Sequence, residues 1–349
     1  MKKIISIVLG VAALAACTKT SVSYEQPGEI AFAPVTRANM TKAAVTGTAF
    51  PTGNDMGVYA FYNAGKPAGT QDDNFLQGSA VYLNNVQFVN RTGSGHWGGT
   101  TSYYWPKTGS LVFAAYSPKA ADLAYDSTKD EFSKTDYVQS DDLAQTVDLL
   151  WSPLTTTSHD KSGGAVAMTF YHAMSWVTIQ AVAANTDSQN KFKVKSVELN
   201  GIVNKGSFKT GDAGITWTHS TAAADVKKLS VFSKTDYTVI AKMNPATVLE
   251  NNEKGTVVIP QSLGEAVTLT VVFSQLMPTS VWSADQTLTF KLNQCKVGGE
   301  LLNSWVNGKH YIYTLSFNIK GEGEHSNEIL IAPSLTDWED VTAGSINAQ

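Results

Sequence analysis

Few side chains in this 349-residue chain are spaced for chemistry. The six histidines are scattered. His159-Asp160 and His172 are the ones that tempt a catalytic reading, yet the chain has no His-Glu-x-x-His pair, no paired cysteines and no nucleophile elbow. Arg91-Thr-Gly-Ser-Gly-His-Trp-Gly-Gly99 is the one glycine-rich stretch of interest. It lacks a phosphate-loop lysine and follows a strand pattern instead of opening a helix. His172 reads as a packed or bend residue. The pattern points to no catalytic residue, no metal ligand and no cofactor. Two other residues stand at positions that invite a closer look: a cysteine, Cys17, and an arginine, Arg37.

The cysteine closes an N-terminal leader. Lys2 and Lys3 supply positive charge, and residues 4–14 are apolar but too short to span a bilayer as a helix. Leu14-Ala15-Ala16-Cys17 resembles the lipobox of bacterial lipoproteins, in which the cysteine takes acyl chains such as palmitate and becomes the first mature residue. The plainer alternative is a secretory peptide with an incidental cysteine. Only Cys295 remains besides Cys17, so a lipidated Cys17 leaves no disulfide framework. Cys295 itself reads as a half-buried strand residue. The apolar run of the leader is the only membrane-type segment in the sequence, which implies a protein anchored by acyl chains or released.

The elements behind the leader are strands. Of the residues, 43% are hydrophobic and 16% charged, with a formal net charge of -4. There is no basic block for nucleic acid. Alternating apolar runs recur at short spacing, among them Met56 to Tyr62, Val81 to Val89, Ser110 to Tyr116, Val267 to Phe273 and Lys309 to Phe317. Residues 117–145 are polar and fit a short helix or a surface loop. Residues 155–164 are the best linker, with no apolar side chain larger than a methyl group. The expectation is an all-β chain of two antiparallel sandwiches in tandem, 38–158 and 159–327.

Two strands at the ends stand apart. Residues 18–28 are a polar tether, and Glu29 to Arg37 then reads as a strand with Ile30, Phe32 and Pro34 on one face. It ends in a basic residue before Ala38. Arg37 is either a processing site or an ordinary exposed strand end. Residues 320–327 form a glycine-containing spacer, followed by a strand with Ile329, Ile331, Pro333 and Leu335 on one face and Trp338 beyond. Such a strand suits pairing with a neighbour's sheet edge, or with the edge of its own domain.

These residues resemble the fimbrillin family of type V pilins from Bacteroides-type bacteria. The likeness runs from the lipobox at Cys17 through Val35-Thr-Arg-Ala38, Met56-Gly-Val-Tyr-Ala60, Tyr104-Trp-Pro106, Thr169-Phe-Tyr-His-Ala-Met174 and Val258-Ile-Pro-Gln261. It continues with Trp305-Val-Asn-Gly-Lys-His-Tyr-Ile-Tyr313, Ile331-Ala-Pro333 and Trp338. The resemblance implies two transthyretin-like sandwiches and export as an outer-membrane lipoprotein with signal 1–17. It further implies trimming by an arginine-specific protease between Arg37 and Ala38, with Lys42 a second basic residue nearby. The segment 18–37 would be a propeptide whose first strand is removed. The segment 328–349 would donate its strand to the next subunit, giving a head-to-tail cell-surface fimbrium for adhesion and biofilm. The alternative is a non-polymerising adhesin that binds host glycans or proteins, with Trp97, Tyr103, Tyr104 and Trp105 stacking on sugars.

Overall fold

The computed structural model describes residues 28–37, 48–65, 75–91, 96–156, 164–183, 191–211, 214–240, 246–251, 255–277, 279–318 and 328–338. Within them the protein is all-β, and its helical elements are three-residue 3-10 turns. Among these residues no helix is long and apolar enough to cross a membrane. The signal 1–17, the linker centre 157–163 and the spacer 319–327 lie outside them.

The first sheet closes on itself. Its order is Val166–His172, Leu150–Thr156, Ser110–Ser117, Met56–Asn63, Ala80–Asn90, Trp97–Gly99, Ala31–Arg37 and Thr48–Ala49, and Val166–His172 also pairs with Ala31–Arg37. The circuit encloses a core that includes Phe32, Val58, Phe88, Phe113, Met168 and Phe170. Met56–Asn63 and Ser110–Ser117 are buried on both faces, which is why they read as continuous apolar runs instead of alternating ones. Gly57 belongs to this packing, because a Cβ there would stand 2.5 Å from the Tyr116 ring.

The outer face of those two strands is covered by a sheet that the sequence concealed. Its order is Gly214–His219, Lys205–Gly211, Glu131–Val138 and Ala124–Asp126. The polar stretch expected to hold a helix or loop thus supplies two strands. Only Phe132 and Tyr137 face inward along Glu131–Val138, and left-handed Asp136 breaks the period between them. They pack with Tyr59, Tyr116 and Phe208.

This arrangement corrects the expected boundary between 158 and 159. Val166–His172 belongs to the first sheet, with Tyr171 opposite Trp151, and Lys205–Gly211 returns to pair with Glu131–Val138. The polar run 155–164 marks a connection between two paired strands, not a division between domains. The chain passes to the second pair of sheets at Ala173 and Met174, between Val166–His172 and Ser175–Ala183.

That second pair encloses a core including Ile179, Val197, Val271, Tyr313 and Phe317. One sheet runs Val226–Ile240, Phe192–Val203, Thr268–Gln275 and Gln286–Lys291; the other runs Thr247–Val248, Ser175–Ala183, Lys309–Asn318 and Glu328–Asp337. Pairing is antiparallel throughout except at two seams, Ala31–Arg37 with Val166–His172 and Ser175–Ala183 with Lys309–Asn318. Cys295 is buried and follows the 3-10 turn Leu292–Gln294, so it is not a strand residue; burial raises its thiol pKa.

A polar cluster sits on the parallel seam of this second unit. His310 stacks on Trp176 with ring centroids 3.7 Å apart, and its Nε2 lies 2.9 Å from Thr178 Oγ1. Burial lowers its pKa to about 4. Nearby Glu250 is pushed up to about 7 by burial, partly opposed by its hydrogen bond with Thr178. Stability from Glu250 is fully present below its ordinary value of 4.5 and is lost as pH rises through 7. His310 acts in reverse: its contribution is present above 6.5 and is lost as pH falls through 4. The two offset each other between those ordinary values.

Two outcomes are expected. Glu250→Gln should leave only the histidine's slope, so urea midpoints rise from pH 4.5 to 6.5 more steeply than in the parent. Above pH 7 the variant should exceed the parent by up to about 3 kcal/mol, at roughly 1.4 kcal/mol per pH unit. An unchanged profile would exclude a protonated Glu250. Phe208→Ala, at the sheet shared between the two halves, should cost about 3–5 kcal/mol. Fluorescence and circular dichroism should still report one coincident transition. Separate transitions would mean that the halves unfold independently.

Candidate functional site

The site is the slot that the opening strand fills. Ala31–Arg37 is hydrogen-bonded along both edges. On one side it runs parallel to Val166–His172, from Phe32 opposite Val166 to Arg37 opposite Tyr171. On the other it is antiparallel to Trp97–Gly99 near its start and to Thr48–Ala49 near its end. Among the described residues Ala33 and Pro34 have no partner on that second side. A proline's missing donor costs no ladder bond in such a gap.

The alternation of the strand sends Ile30, Phe32, Pro34 and Thr36 into the core. Phe32 is fully buried and meets Phe88 and Phe113 edge-on, with centroids 4.9 and 5.1 Å away. Burying Ile30 and Phe32 contributes roughly 3–6 kcal/mol at about 1.5–3 kcal/mol each. Thr36 continues the period of two that Ile30, Phe32 and Pro34 begin, although as a hydroxyl residue it did not announce itself as part of the face. Arg37 is the last residue of the strand. Ala38 and Lys42 lie outside the described residues, as does Cys17.

The entrance to the slot is polar. Glu29 Oε1 forms a salt bridge with Arg91 Nη1 at 2.7 Å, and Arg91 Nη2 donates to the Gly99 carbonyl at 2.7 Å. Gly98 makes room for this, because a Cβ there would collide with the arginine side chain. Gly98 and Gly99, at the end of the glycine-rich stretch, are thus the bed of an arginine. The chain before the strand is tied to 103–105: the Ile30 N–H donates to the Tyr103 carbonyl at 2.7 Å, and the Trp105 N–H to the Gly28 carbonyl at 3.0 Å. The aromatics considered as a sugar platform divide here. Trp97 and Trp105 are buried in the core beneath the strand, Tyr103 packs against that core, and Tyr104 alone is exposed. They form no exposed stacking surface.

The C-terminal strand is docked in this chain, not detached. Glu328–Asp337 pairs antiparallel with Lys309–Asn318 along its whole length and forms the sheet edge. Lys309–Asn318 alternates Tyr311, Tyr313, Leu315 and Phe317 into the core and offers the nearest open edge in sequence. The strand's apolar face is buried unevenly. Ile329 is 6% exposed, Ile331 and Pro333 are half-buried, and Leu335 is 37% exposed. Under Ile331 and Pro333 lies an open cleft shared with Phe290, Cys295 and Lys296. Trp338 ends the strand buried, stacked on His172 at 4.2 Å. His172 is fully buried with Nδ1 2.7 Å from Asp148 Oδ2, so it is a packing residue at the junction of the two halves. Among the described residues no group of His, Cys, Asp and Glu side chains could hold a metal ion.

No curated protein matches the chain. The solved structures it resembles include a candidate cell adhesion protein from Bacteroides uniformis, at 16% identity and a TM-score of 0.48, covering 89% of this chain and 99% of that one. Another from Bacteroides ovatus shows 18% identity and a TM-score of 0.47, covering 89% and 98%. The fimbrial anchor protein Mfa2 from Porphyromonas gingivalis shows 11% identity and a TM-score of 0.28, covering 89% and 98%. Scores this low carry no argument, and the assignment rests on sequence. A family model described as Fimbrillin-like matches residues 36–338, most of the chain from the end of the opening strand to Trp338. The protein belongs to the fimbrillin-like family.

Proposed function

We propose that this protein is a structural subunit of a cell-surface fimbrium, made as a lipoprotein on Cys17, trimmed after Arg37 and joined head-to-tail to further pilin subunits by strand exchange. The family supports a fimbrial and adhesive role. The observation that carries the exchange reading is the double pairing of Ala31–Arg37. A strand at one end of the chain closes a circuit whose other strands all come from residues 48–172. Its removal would open three strand edges at once, those of Val166–His172, Trp97–Gly99 and Thr48–Ala49. It would also uncover Phe88 and Phe113.

Such an opening is costly unless refilled, because unpaired edges and an apolar trough both seek a partner strand. Glu328–Asp337 is the available donor, held in its own chain by a single neighbouring strand among the described residues. A donor at one end and an acceptor at the other give a heterologous contact that does not close, and so a filament. While the resident strand fills the slot, premature growth is blocked. A non-polymerising glycan-binding adhesin is the weaker reading, since Trp97 and Trp105 lie in the core.

Treatment of the purified precursor with an arginine-specific protease should yield ladders on gels and filaments by electron microscopy. Arg37→Ala should abolish both. Trimming at Arg37 that leaves only monomers, or normal fimbriae on Arg37→Ala cells, would refute the reading. Removal of residues 328–349 should stop growth, and a monomer that then unfolds would show that the strand serves only its own sheet.

A further inference from the structure

The two end strands share a sequence pattern over their first six residues. Glu29-Ile-Ala-Phe-Ala-Pro34 and Glu328-Ile-Leu-Ile-Ala-Pro333 share glutamate, isoleucine, alanine and proline at matching places, with apolar residues between. They lie in different sheets and have different neighbours. We propose that the C-terminal strand of a second copy enters the slot in one direction and one register, with Glu328 replacing Glu29, Ile331 replacing Phe32 and Pro333 replacing Pro34. The inference rests on the strand-exchange reading and specifies its joint.

Each matched position answers a demand of the slot. The sites of Ile30 and Phe32 are fully enclosed, so they accept only apolar side chains, here Ile329 and Ile331. The proline position falls where, among the described residues, the strand has no partner on its antiparallel side. A shift of two residues either way would place Pro333 opposite Trp97 or Thr48, where short strands flank the slot and a missing donor matters. At the entrance, Arg91 over Gly98 receives the carboxylate of Glu29, and Glu328 brings the same group. Reversed insertion would carry that carboxylate to the opposite end. Leu335 falls on the buried site of Thr36.

Burial sets the direction of transfer. In their own sheet Ile331 and Pro333 are half-buried and Leu335 is exposed. The corresponding slot positions, Phe32, Pro34 and Thr36, are all buried. The same strand therefore removes more apolar surface from water in the slot of a second copy than at its own edge.

Cysteine pairing reads the register. Val35 lies opposite Thr169, with Ala167 and Tyr171 two residues to either side on the same outward face. The proposal puts Ser334 where Val35 was. Full-length Ser334→Cys chains are mixed with Ala167→Cys, Thr169→Cys or Tyr171→Cys chains, cleaved with the arginine-specific protease, and resolved without reductant. Thr169→Cys should cross-link at least about tenfold more than the other two, since disulfides tolerate little displacement. Filaments that cross-link at Ala167→Cys, at Tyr171→Cys or at none of the three would overturn the register while leaving strand exchange standing. Absence of any filament would overturn both. In the same assay Arg91→Glu acceptors or Glu328→Arg donors should each slow growth about two- to fivefold, and the two together should restore it. No recovery would remove Glu328 from the entrance.

Discussion

The parallel seam between Ala31–Arg37 and Val166–His172 is the contact on which the first sheet depends. The strands from Val166–His172 to Trp97–Gly99 pair in one series within residues 56–172. The two ends of that series meet only through the opening strand, and Thr48–Ala49 pairs with the opening strand alone among the described residues. Without it, Val166–His172 and Trp97–Gly99 would each keep an unpaired edge, and Phe88 and Phe113 would lose the ring that separates them from solvent. Backbone pairing and core packing are thus satisfied by one short segment near the chain's end.

The rest of the molecule holds that slot in shape. The sheet shared by Ala124–Asp126, Glu131–Val138, Lys205–Gly211 and Gly214–His219 covers the outer face of Met56–Asn63 and Ser110–Ser117, the second of which carries Phe113 beneath the opening strand. Removal of the opening strand would therefore leave a trough with a supported back wall. Trp338, stacked on His172 beside the Asp148 carboxylate, fixes the far end of the C-terminal strand at the same junction. The slot of the opening strand and the C-terminal strand are built into one framework but belong to different sheets.

The site was partly legible in the sequence, and the limits have physical causes. Ile30, Phe32 and Pro34 alternate with smaller residues, so a face could be read from period alone. The partner of that face could not, because Val166–His172 is far away in sequence and looks like any buried strand. Trp97 and Trp105 looked equally fit for a sugar platform or a core, since an aromatic residue type is silent about its exposure. Glu131–Val138 passed for loop because just two large apolar residues in it point inward and Asp136 interrupts their spacing. The boundary near 155–165 misled for a related reason: a polar run marks exposed backbone, and a connection inside one sheet is as exposed as a linker between two.

What the sequence by itself determined is the class of the chain, its strands outside 117–145 that alternate clearly, and the apolar faces of its two end segments, because these follow from local periodicity. The tertiary structure alone decided that the opening strand is paired on both edges, that its partner is the parallel Val166–His172, and that the C-terminal strand sits at an edge with its apolar face incompletely covered. Those are facts of long-range pairing. A strand carries its period in its own residues, but which edges it meets is set by the rest of the chain.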